Sequence, residues 1–172
     1  YGNDFMHDDE LAWAACELYL ATGEAAYQQK LLAWLHPADP ATRRWGWLRL
    51  FDSYGNATRS YAFAARTGRL KPTQLDPMLL TDCENEIAAA AADHLRDAAD
   101  SAYGTSFPVT TKRFLSAGWY FSSDAAFDLA VACQLDYPVK RDPRRQLFAA
   151  MLSNLNYEQG CNPVNVTYLT GL

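Results

Sequence analysis

DDELAWAACELYLATGEAAYQQKLLAWLH, residues 8–36, is the stretch that decides the fold. Asp8 or Asp9 can cap a helix start, where acidic side chains meet the positive end of the helix dipole. Leu11, Ala14, Ala15, Leu18 and Tyr19 then recur at three- and four-residue spacing, the period of an amphipathic helix. Gly23 stops that helix. A second helical run, Glu24 to His36, comes after almost no loop and ends before Pro37. Two helices joined so tightly form an αα-hairpin.

The rest of the chain repeats the theme. Residues 40–68, PATRRWGWLRLFDSYGNATRSYAFAARTG, read as a pair of helices broken near Tyr54-Gly55-Asn56. Residues 82–104 carry five consecutive alanines, Ala88 to Ala92, the best helix formers available. Residues 104–121, with Pro, Thr and aromatics, read as a long loop. SSDAAFDLAVACQL, residues 122–135, is helical with a Ser/Asp cap. DPRRQLFAAMLSNLNYEQG, residues 142–160, is the last helix, opened by Asp142 with Pro143 at its first position. No segment alternates as a strand does, so the fold class expected is all-α. Residues 13–32 and 127–148 share a plan: an Ala/Cys/Leu helix, a polar turn, then a helix opening with charge. Repeated hairpins with small residues on one helix imply concentric helical rings or a solenoid.

The 172 residues make one domain or a piece of one, and a hydrophobic content of 49% is enough for a core. A net charge of −5 and a pI near 5.1 argue against a nucleic-acid surface. No apolar run approaches the roughly 18 residues that span a membrane. The first residue is Tyr1, not Met, which reads as processing or truncation; no signal peptide is visible. Cysteines at 16, 83, 133 and 161 fit no zinc or redox spacing. Cys16 and Cys133 lie in Ala-rich helices as small hydrophobes.

Three stretches together resemble glycoside hydrolase family 9. They are DDELAWAACELYLATGEAAY (8–27), GWYFSSDAAFDLAVACQLD (118–136) and LNYEQGCNPVNVTYLTGL (155–172). The last is the most specific, resembling the family's N-Y-x-x-G-x-N-P…S/T-Y-V-T-G signature near the end of the catalytic domain. The resemblance implies an inverting cellulase-like hydrolase of β-1,4-glucans, secreted or periplasmic, built as an (α/α)6 toroid. Residues 1–172 are then a partial catalytic domain, about half of the barrel, and inactive alone. In the family the base comes from an early Asp-x-x-Asp helix and the acid from a Glu beyond the terminal signature. Neither motif is present here, so both catalytic groups are expected outside this chain, with Leu172 followed by more of the cleft wall. The partners implied are β-glucan or cello-oligosaccharide and the remainder of the same domain, with no nucleic acid or membrane. The alternative is a non-catalytic helical-repeat module binding glycan or protein.

Individual residues can be weighed against that picture. Trp119 and Tyr120 offer flat faces for sugar rings, or plug the core where the loop crosses. The Arg that the family often places after this Trp is replaced by Ser122, Ser123 and Asp124; Asp124 reads as a cap or a sugar contact. Asn162, Asn165, Thr167 and Tyr168 suit sugar hydroxyls, or serve turn chemistry. Asn56 and Asn165 each begin an N-x-T sequon. His7 can reach a sugar from its loop. His7, Asp8, Asp9 and Glu10 could hold calcium, although no cofactor is required, and helix capping is the alternative. His36 and His94 read as surface or packed histidines. Asp82, Glu84 and Glu86 read as first-turn acids complementing the helix dipole. Trp13, Trp34, Trp45 and Trp47 read as core.

Overall fold

A computed structural model describes residues 8–39, 49–50, 52–106 and 122–168. Six α-helices lie among them: α1 (Asp8–Thr22), α2 (Ala25–Trp34), α3 (Asp52–Ala62), α4 (Pro77–Asp100), α5 (Ser122–Ala132) and α6 (Arg144–Glu158). Single 3-10 turns occupy Pro72–Gln74 and Val139–Arg141. No strand occurs among the described residues. The all-α class is the one expected, and the hairpins α1–α2 and α5–α6 pack as pairs, as in an α/α toroid. The chain divides into two compact units, residues 1–87 and 88–172, with the division falling inside α4.

In the first unit α1 packs against both α2 and α3. Small residues make the approach close: Ala12, Ala15 and Cys16 of α1 and Ala57 of α3 are buried, and the Cys16 thiol donates to the Ala57 carbonyl at 3.6 Å. Leu31 and Leu35 close the hairpin from the α2 side. Each such leucine contributes about 1.5–3 kcal/mol by leaving water. Gly23 ends α1 with φ +71°, and its N–H donates to the Tyr19 carbonyl at 2.7 Å. Two buried tyrosines tie the segment before α4 to this core. Tyr19 donates to the Gln74 carbonyl, and Tyr61 accepts the Asp76 N–H at 2.7 Å.

Several details depart from the sequence reading. The buried stripe of α1 is Ala12, Ala15, Cys16, Tyr19 and Leu20, while Leu11, Ala14 and Leu18 are exposed. The helix is apolar around most of its circumference, so spacing alone could not choose the face. Trp13 is 39% exposed, not core; its indole N–H donates to Glu17 at 3.3 Å. Trp34 is half-buried, with the Lys30 ammonium 5.5 Å from its ring centre, while Trp45 and Trp47 lie outside the described residues. No break occurs at Tyr54-Gly55-Asn56, since α3 runs through it. A Cβ on Gly55 would stand 1.9 Å from the Leu50 carbonyl oxygen. The glycine is there for a close backbone approach, not to end a helix.

Helix α4 starts five residues earlier than its alanine run suggests. Asp76 caps it, accepting the Leu79 N–H at 2.9 Å, and Pro77 is its first residue. Asp82 and Glu86 therefore lie inside the helix, past its first turn. Glu86 is buried and paired with Arg49 at 3.2 Å.

In the second unit α5 packs against α6 through Ala125, Ala126, Leu129, Ala132, Leu147 and Ala150. Two polar contacts are sealed within this unit. His94 meets Asp128 at 3.2 Å, both almost fully buried. The Nε2–H donates to the carboxylate, and Nδ1 is buried with no hydrogen-bond partner among the described residues. Asn154 donates to Ser106 Oγ and to the Ala150 carbonyl at 2.9 Å each, and accepts the Ser106 N–H at 2.9 Å. That exchange pins the chain after α4 onto α6. The four cysteines separate cleanly: Cys16 and Cys83 are buried, Cys133 is half-buried rather than sealed, and Cys161 is exposed. Among the described residues no helix is long and apolar enough to cross a membrane.

Candidate functional site

The terminal loop grows directly out of α6. After Glu158 the Cys161 N–H returns to the Asn156 carbonyl at 2.9 Å, with Gly160 at φ +116° making the reversal. Asn162 then organises the rest of the loop. Its Nδ2 donates to the Tyr157 and Val166 carbonyls at 2.8 Å each, and its Oδ1 accepts the Val164 and Val166 N–H groups at 3.2 and 3.3 Å. The side chain is 3% exposed. All these bonds are internal, so turn chemistry is the reading the geometry favours for Asn162. The last described residues are fastened back to the helix by the Tyr168 N–H and Thr167 hydroxyl, both donating to the Glu158 carbonyl, at 2.8 and 3.4 Å.

Asn165 and Tyr168 face outward. Asn165 is exposed with φ +51°, a left-handed conformation that Asn tolerates. Tyr168 is 40% exposed and its ring lies 6.3 Å from that of Tyr157, centre to centre, tilted by 52°. Tyr157 in turn meets Tyr103 edge to face at 5.8 Å. Partial burial pushes the Tyr157 phenol up, and its two tyrosine neighbours add to this. Sequence reasoning misses both Tyr103 and Tyr157 as site residues. Tyr157 lies inside the terminal signature, but nothing in the sequence links Tyr103 to it. Trp119, Tyr120 and His7 lie outside the described residues, as do the side chains of Asp8 and Asp124.

Elsewhere the described acids have local roles. Partial burial pushes Glu17 up, but the Arg69 guanidinium (2.7 Å), Ser60 and Trp13 together hold it below the usual carboxylate value. Asp9 is pushed up to about 6, by partial burial first and by the adjoining Glu10 carboxyl second. No cluster of three or more metal-binding side chains occurs among the described residues. A cleft of about 570 Å³ in the first unit is lined by Leu32, Leu35, His36, Asp39, Met78 and Asp82. It contains none of the expected glycan-binding residues. Asn56 lies within α3 and the Thr58 of its sequon is buried, whereas the Asn165 sequon is on the exposed loop.

Compared with known families, the chain matches the glycosyl hydrolase family 9 model over residues 1–172. The chain belongs to that family. Membership takes in the hairpin of the first unit, the α5–α6 hairpin and the terminal loop alike. A curated relative, Endoglucanase C of Cellulomonas fimi, is 30% identical over 172 residues. The alignment covers 98% of this family 9 chain and 14% of the relative, so the chain spans about one seventh of that protein. No solved structure matches the chain.

Proposed function

We propose that this chain is part of the catalytic domain of a secreted or periplasmic glycoside hydrolase acting on β-1,4-glucosidic bonds in cellulose or a related β-glucan. In this reading hydrolysis inverts the anomeric centre, using acid and base carboxyls about 6.5–9.5 Å apart across the scissile bond. Both carboxyls lie outside residues 1–172. The chain contributes cleft wall: Trp119 and Tyr120, His7, and the outer face of the terminal loop with Asn165 and Tyr168. Asn162 acts by holding that loop in shape. The remainder of the domain is the partner, and no cofactor is required.

The family match across all 172 residues carries this reading, and the relative's name, an endoglucanase, supports the substrate class. Two of the three described buried acids are engaged in ion pairs, Glu86 with Arg49 and Asp128 with His94. The test is reducing-sugar release from a soluble β-1,4-glucan. The 172-residue chain should be silent, and the protein expressed from its whole gene should be active. Activity in the chain alone would overturn the placement of the acid and base. Silence in both would overturn the hydrolase reading and favour a non-catalytic glycan-binding module.

A further inference from the structure

The structure points to a second role for the tyrosine row: we propose that Tyr103 and Tyr168, braced by Tyr157, form a preorganised platform on which a neutral β-glucan chain stacks. This rests on the hydrolase reading for the polymer class, and adds to it a binding surface and two residues, Tyr103 and Tyr157.

Tyr103 is 46% exposed and Tyr168 is 40% exposed, while the ring between them is half-buried. One partly sunk tyrosine thus supports two outward ones, at centroid distances of 5.8 and 6.3 Å. Such rings present apolar faces with a hydroxyl at the rim, the complement of a pyranose with its C–H face and equatorial hydroxyls. Both outer tyrosines are held by built-in anchors. Tyr103 sits in a turn fixed by its N–H to Ser101 Oγ (3.3 Å) and by the Ser101–Thr105 hydroxyl pair (2.8 Å). The Ser106–Asn154 exchange then fastens that turn to α6. Tyr168 is fastened to the same helix by its own N–H and by Asn162. Platforms fixed before binding lose little entropy when the ligand arrives.

Charge chooses the ligand. The loop from Cys161 to Tyr168 holds no ionisable acid or base apart from the thiol and phenol, in a chain with 20% charged residues. Val164 and Val166 stand exposed on it. On the loop side, exposed Tyr168, the valines and Asn165 form an uncharged surface that suits an uncharged, hydroxyl-rich polymer. The loop offers no cation to a phosphate or a uronic-acid polymer.

Affinity electrophoresis of the protein from its whole gene, in native gels containing hydroxyethylcellulose, tests the platform. Wild type should be retarded, and Tyr103→Ala and Tyr168→Ala should each weaken the apparent affinity roughly 3- to 10-fold. Tyr103→Trp, which enlarges the stacking face, should tighten it, and this variant guards against simple misfolding of the alanine forms. Unaltered retardation in all three variants, or no retardation of wild type, overturns the proposal. Reducing-sugar release by wild type is scored separately. Hydrolysis with unaltered retardation sinks the platform alone, whereas neither hydrolysis nor retardation sinks both readings.

Discussion

Replacing Asn162 by Ala removes four hydrogen bonds from one buried side chain. The two at 2.8 Å are worth about 1 kcal/mol each net, and the two longer ones about half that, giving about 3 kcal/mol. Val164 and Val166 are exposed, so water can reach part of the freed backbone, and about 2 kcal/mol is the expected cost. For a chain of this length that lowers the melting temperature by roughly 4–8 °C if the loop and its unit unfold together. The effect should be local first. Amide exchange at Val166 and Tyr168 should accelerate about 30-fold, as about 2 kcal/mol requires, while amides in the middle of α6 change less. Asn162→Asp should cost at least as much at neutral pH, because a carboxylate would face the Tyr157 and Val166 carbonyls that the amide now serves. Wild-type exchange rates at Val166 and Tyr168 in Asn162→Ala would refute the idea that this side chain holds the loop.

Other perturbations have equally definite signs. Gly55→Ala places a Cβ against the Leu50 carbonyl, so the backbone must move; a loss of about 3 kcal/mol or more in denaturant unfolding is expected, against about 1–2 kcal/mol for Gly68→Ser, where the space is open and only the left-handed φ of +72° is strained. His94→Leu takes the imidazole away from the buried Asp128 carboxylate and should cost about 3 kcal/mol at pH 7, whereas the double change with Asp128→Leu should recover much of it; additive losses would show that the two do not act as a pair. Asp9 has a folded-state pKa raised from 3.8 to about 6, so the folded chain holds that proton more tightly than the unfolded chain. The stability from this proton is present below about pH 4 and is lost as pH rises through 6, by about 1 kcal/mol or less after solvent screening. Asp9→Asn should flatten that slope in thermal melts.

The hairpins are legible in the sequence because their signals are local. Gly23 after an Ala/Cys/Leu run, and Asp142-Pro143 before another, mark helix ends by backbone chemistry alone. The same acid-proline signature, Asp76-Pro77, opens α4, but the alanine run further on is the louder signal and hides it. The features that cannot be read depend on distant residues. α1 is apolar on several sides, so only its neighbours α2 and α3 decide that Ala12 and Cys16 turn inward and Trp13 outward. Gly55 looks like punctuation until Leu50 is seen against it. In the site, Asn162 and Asn165 are the same residue type three positions apart, and from sequence both are sugar contacts or turn residues. Burial separates them: one is spent on backbone and the other faces solvent. Tyr103 and Tyr157 are 54 positions apart in the chain, and no periodicity links them.

The distribution of cysteines gives the protein a built-in reporter. Burial pushes the Cys16 thiol up to about 12 and Cys83 well above its ordinary value, and partial burial also raises Cys133. At neutral pH these three remain as thiols, and two of them are closed to solvent. Cys161 alone is exposed, one residue before Asn162. A maleimide dye should therefore label the folded protein mainly at that position, since the thiolate is the reacting form. The fluorophore would sit at the root of the terminal loop, where the glycan binding proposed for that loop would register as a change in emission, without introducing a cysteine or removing the other three.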